Sequence, residues 1–307
     1  MRLKLAGLSL FVLFGAAFCS AQDAAISTAN ATNAPDYSSV NCSSFVSDNV
    51  PSDMYLISSE NSDYKITFSQ GDYVFINRGS DKGVKVGDRF SVVRPTDDPS
   101  EVSWFKGQHK IMKAMGQIYM DEGHLRVINV LPHTSVAEVG FTCAYMQRGD
   151  IVRPFVERPV PQFKDASTFD RFAPVSGKPV AMVVAGTDFS QMLGKNSTAF
   201  VNLGSNQKVR VGDYFRVFRY QGTPGESERF NVRHYIDGSR GETAPQTSGY
   251  QYKIFGFGST PERYTWNDLP RQLIGEGVVL NEGSNASTIF ITYTTGPIYA
   301  GDYVELE

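Results

Sequence analysis

An internal repeat constrains the fold of this 307-residue chain more than any other feature. Residues 75–94 align without a gap on residues 200–219, and 11 of the 20 aligned residues are identical. A second part of the repeat aligns 123–150 with 275–302, where identity is weak but the hydrophobic pattern is kept. The chain is therefore predicted to carry one structural module twice.

The pattern inside each repeat is typical of β-strands. Phe90 and Val92 alternate with polar residues, as Phe215 and Val217 do in the second copy. Gly-Asp recurs just before predicted strands, at 71–72, 87–88, 149–150, 212–213 and 301–302. Gly accepts positive φ in a turn, and Asp can bond to the backbone two residues further on. We expect an all-β fold with minor helical insertions, built of two small closed or nearly closed barrels.

Changes of composition divide the chain into segments. Prolines at 154–161 indicate a stiff linker, and the Ala-, Ser- and Asn-rich stretch before Met54 indicates a flexible arm. The predicted segments are a signal peptide (1–21), the arm (22–53), a first barrel (54–155), a Pro-rich linker (156–177) and a second barrel (178–307). The barrels carry a helical insertion at 98–115 and an aromatic, Gly-rich insertion at 220–267.

The N-terminus has the three parts of an export signal. Arg2 and Lys4 precede an apolar run over 5–18, and Ser20-Ala21 supply a small-residue cleavage site. The 14 residues of that run would cover about 21 Å as a helix, which is short of a bilayer core of about 30 Å. A cleaved signal peptide is the favoured prediction, and an uncleaved anchor is the alternative.

Two cysteines remain after cleavage, Cys42 and Cys143. Export to an oxidising compartment favours a disulfide between them, which would fasten the arm to the first barrel. The alternative is a pair of free, buried thiols.

Charge and motifs argue against several functional classes. The net charge is −3 and only four histidines are present, so the sequence predicts neither a nucleic-acid-binding surface nor a metal site. No nucleophile elbow, Walker loop or zinc-protease motif occurs. We therefore predict a protein that is not an enzyme and has no cofactor; a hydrolase is the less favoured alternative.

Both insertions carry side chains that are candidates for packing or binding. In the helical insertion, one side of the predicted helix carries Trp104, Gln108, Ile111, Met112 and Met115, a stripe that predicts core packing. In the second insertion, the candidate ligand-binding residues are Tyr235, Tyr250, Tyr252, Phe257, Tyr264 and Trp266. These rings either anchor a partner or glycan, or bury the insertion against its barrel.

The repeat resembles a known module. The run 74–90, with its Asn77, Gly79 and Gly87-Asp88, and the later Gly149-Asp150 turn resemble the C-terminal β-barrel of flagellar assembly protein T. They are also similar to tandem SH3-like repeats of secreted acidobacterial proteins, some of which are labelled LysM. The flagellar protein has preceding domains that this chain lacks, so a flagellar role does not follow. The LysM label fits poorly, because strands and not a helix follow Gly-Asp here.

This resemblance implies two SH3-like barrels in an envelope component that works by binding. We expect a secreted or periplasmic location, with outer-membrane association as an open alternative. The expected function is a non-enzymatic binding scaffold with an envelope-protein partner, and the alternative is peptidoglycan or glycan binding through the aromatic insertion. No nucleic-acid partner and no transmembrane segment after signal cleavage are expected.

Overall fold

A computed structural model describes residues 34–60, 64–97, 101–102, 104–105, 107–219, 250–254, 257–262 and 271–307. The signal-peptide prediction for 1–21 lies outside the described residues. The fold is all-β, as the sequence predicted, and the described residues include two short α-helices and three 3₁₀ turns. The helices are α1 (Tyr37–Asn41) and α2 (Gln108–Met115), and the 3₁₀ turns are Ser80–Lys82, Ala166–Thr168 and Ser205–Gln207.

The first barrel is a seven-stranded sheet. Its strands, with a small extra pair, are β1 (Phe45–Ser47), β2 (Leu56–Ser59), β3 (Thr67–Phe68), β4 (Tyr73–Ile76), β5 (Arg89–Thr96), β6 (Gln117–Val130), β7 (Ser135–Thr142), β8 (Met146–Gln147) and β9 (Ile151–Pro154). The order is β2-β4-β7-β6-β5-β9, and β1 adds to β6. A bridge between Tyr55 and Ile151 and a hydrogen bond from Val152 N to Met54 O (2.8 Å) join the two ends, so the sheet nearly closes.

The second barrel is closed and repeats this order. Its strands and an inserted hairpin are β10 (Val180–Gly186), β11 (Met192–Leu193), β12 (Thr198–Val201), β13 (Tyr214–Arg219), β14 (Tyr250–Ile254), β15 (Phe257–Glu262), β16 (Gln272–Glu282), β17 (Ser287–Thr294), β18 (Ile298–Tyr299) and β19 (Tyr303–Leu306). The order β10-β12-β17-β16-β13-β19 matches the first sheet strand for strand. The small pairs match as well, since β3 pairs with β8 and β11 with β18.

The Gly-Asp turns have the predicted backbone but a different side-chain bond. Gly87 and Gly212 have φ values of 94° and 92°, in the region that favours glycine. The Asp88 carboxylate accepts from Lys85 N–H at 2.9 Å, three residues earlier, and the other four turns repeat this bond. The prediction that Asp bonds two residues further on was wrong, because the four-residue turn brings the preceding N–H to the carboxylate.

Close backbone approach explains one glycine that both copies keep. A Cβ on Gly79 would lie 2.5 Å from the carbonyl oxygen of Pro132, and one on Gly204 would lie 2.7 Å from that of Ser284. No real Cβ atom tolerates such distances. The two repeats therefore share this glycine because the 3₁₀ turn after it packs against the β6–β7 or β16–β17 turn.

The helical insertion is shorter than predicted. Helix α2 begins at Gln108, and the described residues of 101–107 are not helical, so the predicted helix over 98–115 was wrong there. The Glu101 carboxylate accepts from Gly107 N–H at 2.6 Å, and Gln108 Oε1 accepts from Val102 N–H at 2.9 Å. Side chains satisfy these donors, and Gly107 has a φ of 87°, so an irregular turn replaces the first helical turns.

The N-terminal segment is packed where the structure describes it. The sequence predicted a flexible arm over 22–53, and this was wrong for 34–53. The residues Val40, Phe45 and Val46 are at most 6 % exposed, and Phe45 lies opposite Tyr119 in the register of β1 and β6. Burial of these apolar side chains stabilises a segment whose composition suggested otherwise. Residues 22–33 lie outside the described part.

Candidate functional site

The two barrels share one apolar cluster where they meet. The first half of the chain contributes Val46, Val102, Phe105, Met112, Met115 and Ile118, and the second barrel contributes Val184, Ala185, Phe200, Ala286 and Ala300. Trp104 and Ile111 pack against its edge. The core role predicted for the aromatic and Met stripe is therefore confirmed, and the core that it joins spans both barrels.

Polar side chains pair across the same contact. The buried Gln108 side chain donates from Nε2 to the Val184 carbonyl oxygen at 2.8 Å, and its Oε1 accepts from Val102 N–H. Trp104 Nε1 donates to the Ala300 carbonyl oxygen at 3.0 Å. Since these bonds fix orientation as well as distance, the barrels form one body at this junction.

Strand β1 makes a second bridge between the barrels. Thr288 Oγ1 of the second barrel donates to the Ser44 carbonyl oxygen at 2.6 Å, and Ser284 Oγ donates to Asp48 Oδ2 at 3.0 Å. A Cβ on Gly283 would collide with the Val46 carbonyl oxygen. The N-terminal segment therefore lies between the first sheet and the second barrel.

An open groove of about 540 Å³ lies along this bridge. We call it the junction groove. Its lining residues are Phe45, Val46, Ser47, Asp48, Asn49, Arg153, Val156, Arg158, Asn281, Glu282, Gly283 and Ser284. The volume is in the range of small-ligand sites in proteins.

Two arginines line the groove and differ in their partners. Arg158 is fully engaged, because its guanidinium donates to Val40 O (3.0 Å), to Ser43 O (2.9 Å) and to Asp121 Oδ2 (2.7 Å). Arg153 lies over the Phe45 ring, 4.6 Å from its centroid, and Arg158 lies over the same ring at 5.7 Å. Burial lowers the pKa of Arg153, and the nearby Asp121 opposes this effect.

Strand β6 carries two consecutive buried acids, Asp121 and Glu122, which are 4 % and 1 % exposed. Burial raises the pKa of Asp121 to about 6 and that of Glu122 to about 7. Neither Glu122 oxygen has a hydrogen-bond partner, although Arg94 Nη1 approaches to 3.2 Å. Burial also lowers the pKa of His124 to about 4, so this imidazole is neutral at physiological pH.

The two barrels share some of their buried charged residues and differ in others. Arg94 donates two hydrogen bonds of 2.8 Å to the Asp150 carboxylate. The matching Arg219 donates two to the Asp302 carboxylate, at 2.8 and 2.6 Å. A feature that both barrels need equally belongs to the fold. By contrast, the positions of Asp121 and Glu122 in β6 are occupied in β16 by the apolar residues Leu273 and Ile274.

The predicted disulfide is confirmed. Cys42 and Cys143 are bonded, with a Cα–Cα distance of 5.3 Å and a sequence separation of 101 residues. The bond joins the end of α1 to the loop after β7, next to Glu122, whose carbonyl oxygen accepts from Cys143 N–H at 3.0 Å. The disulfide thus fastens the N-terminal segment to the first barrel.

The predicted aromatic site is only partly within the described residues. Tyr250, Tyr252 and Phe257 lie in the hairpin of β14 and β15, where Tyr252 is opposite Thr260. Tyr235, Tyr264 and Trp266 lie outside the described residues. The aromatic ligand-binding role therefore stays a prediction.

Sequence reasoning missed the junction groove and the buried acids. Phe45 and Arg153 are far apart in sequence, so no local pattern joins them. The acids did leave a signal, since extending the alignment of 123–150 with 275–302 by two residues towards the N-terminus places Asp121 and Glu122 against Leu273 and Ile274. Mismatches in polarity at strand positions, and not the matches, would have pointed to them.

Comparisons with known proteins add no family. The chain matches no protein-family model, and no curated protein matches it significantly. Within the described part of the chain, no helix combines the length and apolar character needed to cross a membrane. Among the same residues there is no group of three or more His, Cys, Asp or Glu side chains that could hold a metal ion.

Proposed function

We propose that this protein is an exported, non-enzymatic component of a cell envelope, which acts as a binding scaffold through two SH3-like barrels. The observation that carries the proposal is the Cys42–Cys143 disulfide, because structural disulfides persist mainly in oxidising compartments. The signal-like residues 1–21 support the same location independently.

The arrangement of the barrels supports a scaffold. A shared apolar cluster and the bonds of Gln108 and Trp104 hold them in one orientation. A fixed pair of barrels presents two sets of turns and one groove in constant geometry, which lowers the entropic cost of binding an extended partner.

The position of the acidic residues favours binding over catalysis. A general acid or base must come within hydrogen-bonding reach of a substrate. Asp121 and Glu122 have raised pKa values, but they are only 4 % and 1 % exposed. Their shifts therefore reflect burial in the protein interior.

Glycan binding through the aromatic insertion is the second candidate. The observation that favours it is the β14–β15 hairpin, which is inserted between β13 and β16 and carries three of the six predicted aromatic residues. Aromatic side chains suit ligands that present both apolar faces and polar edges.

Localisation and binding can be tested with the full chain. Expressed in a Gram-negative host, it should be cleaved near Ala21 and be recovered from the periplasm with Cys42 and Cys143 inaccessible to maleimide. Recovery in the cytoplasm with both thiols reactive would contradict the proposal.

Sedimentation with isolated peptidoglycan sacculi separates the two candidates. If the aromatic insertion binds glycan, the mature protein should pellet at moderate salt, and Tyr252→Ala with Trp266→Ala should abolish pelleting. Phe172→Ala is the matched control, since that ring is 73 % exposed and lies in the linker. Failure of the mature protein to pellet would favour a protein partner.

A further inference from the structure

Arg153 is the arginine of the junction groove that lacks a polar partner of its own among the described residues. Its guanidinium makes no hydrogen bond or ion pair with any residue that the structure describes, and its one ring contact is with Phe45. Tyr119 stacks nearly parallel to the same Phe45 ring, with 5.5 Å between centroids. Because stacking uses the face of the guanidinium, its N–H edge is left available.

The second barrel has an acid, and not an arginine, at the position that matches Arg153. Arg153 in β9 corresponds to Glu305 in β19, and Glu305 is paired with Arg271 and accepts from Ser176 N–H at 2.7 Å. The Asp121 carboxylate interacts with Arg153 by charge, but it is bonded to Arg158 at 2.7 Å. A half-buried cation without its own anion is unfavourable, so the fold alone does not explain Arg153.

The rest of the groove restricts what could supply the anion. Asp48 and Glu282 add two carboxylates to its lining, and they disfavour a ligand with several negative charges. A ligand with one oxyanion and an adjoining ammonium or hydrogen-bond donor fits better. The volume of about 540 Å³ accommodates a few amino-acid residues.

We propose that the junction groove binds the free carboxylate of a short peptide, which Arg153 holds through two parallel N–H···O bonds. The fork of a guanidinium matches both carboxylate and phosphate, and the acidic lining favours the carboxylate of a zwitterionic peptide. This inference deepens the proposed binding function, because it assigns a ligand class to the groove.

The test is an NMR titration of the mature protein, isotopically labelled, with dialanine as the probe. We expect saturable shifts of groove amides such as those of Ser47 and Val156. Dialanine amide, which lacks the carboxylate, should bind about tenfold or more weakly. Inorganic phosphate is the competing source of an oxyanion, and tighter binding of phosphate than of dialanine would overturn the peptide assignment.

Variants connect the binding to Arg153. Arg153→Gln should weaken dialanine binding about tenfold or more, and Arg153→Lys should restore it only in part because it lacks the fork. Arg126→Gln, an exposed position of β6, is the matched control and should bind normally. Because Arg153 has no polar partner in the described residues, Arg153→Gln should unfold at the wild-type temperature or higher. Equal affinity in wild type and Arg153→Gln would overturn the proposal.

The outcomes also separate this inference from the proposed function. If Arg153→Gln still binds envelope material in pull-down assays but dialanine never binds, the groove assignment fails and the envelope function stands. If dialanine binds through Arg153 but the chain is not exported, the envelope function fails and the groove assignment stands.

Discussion

Replacing Glu122 by glutamine tests whether a buried carboxyl group destabilises the first barrel at neutral pH. The side chain is 1 % exposed and both oxygens lack hydrogen-bond partners in the described structure. Burial raises its pKa from 4.5 to about 7, more than Arg94 lowers it. The folded state therefore favours the protonated form, and the resulting stability is lost as pH rises from 4.5 through 7. At 1.36 kcal/mol per pKa unit, full ionisation costs about 3 kcal/mol.

Urea unfolding at pH 5 and pH 8 measures this effect. Glu122→Gln keeps the shape but cannot ionise, so its stability advantage over wild type should grow by about 2–3 kcal/mol between the two pH values. Taking the difference between variant and wild type removes most of the opposing contribution of His124, whose lowered pKa favours the folded state as pH rises. Glu157→Gln, at an exposed position, is the control. If the stability advantage of Glu122→Gln over wild type is the same at pH 5 and pH 8, burial does not raise the pKa of Glu122.

Three further perturbations, a reduction and two substitutions, test the fold. Reduction of the Cys42–Cys143 bond, which spans 101 residues, should lower the unfolding free energy by about 4–5 kcal/mol, and an unchanged melting temperature in dithiothreitol would contradict its structural role. Gly79→Ala should cost about 1–3 kcal/mol because its Cβ meets backbone atoms, whereas Gly140→Ala, with open space around it, should melt like wild type. Gln108→Ala leaves buried backbone groups unpaired and should cost about 1–3 kcal/mol by calorimetry; equal melting would show that this bridge does not join the barrels.

The repeat made the barrels predictable from the sequence. Gly79 and Gly204 occupy the same close contact, and each Gly-Asp pair forms the same turn, so matched residues report matched geometry. The paired cysteines were predictable because only two lie outside the predicted signal peptide. These features are local in sequence or follow from counting.

Features that depend on distant contacts were not predictable. The segment 34–53 has a composition typical of a flexible arm. It is ordered because Phe45 pairs with Tyr119 across β1 and β6 and because the Ser44 carbonyl oxygen accepts a hydrogen bond from Thr288. The irregular turn before Gln108 arises from side-chain bonds that compete with helix formation. The sequence does not distinguish Arg153 from other arginines; only the structure shows that its guanidinium makes no hydrogen bond or ion pair with a described residue.

Photocrosslinking in the intact envelope tests whether this protein binds an envelope component. A benzophenone amino acid would replace Val156, which is 64 % exposed and lines the junction groove, and in a second strain Val175, which is 66 % exposed and is not among the groove residues. If the binding proposal is right, we expect a discrete adduct with an envelope component from position 156 and none from 175. The absence of adducts from both positions, with the protein correctly exported, would contradict it.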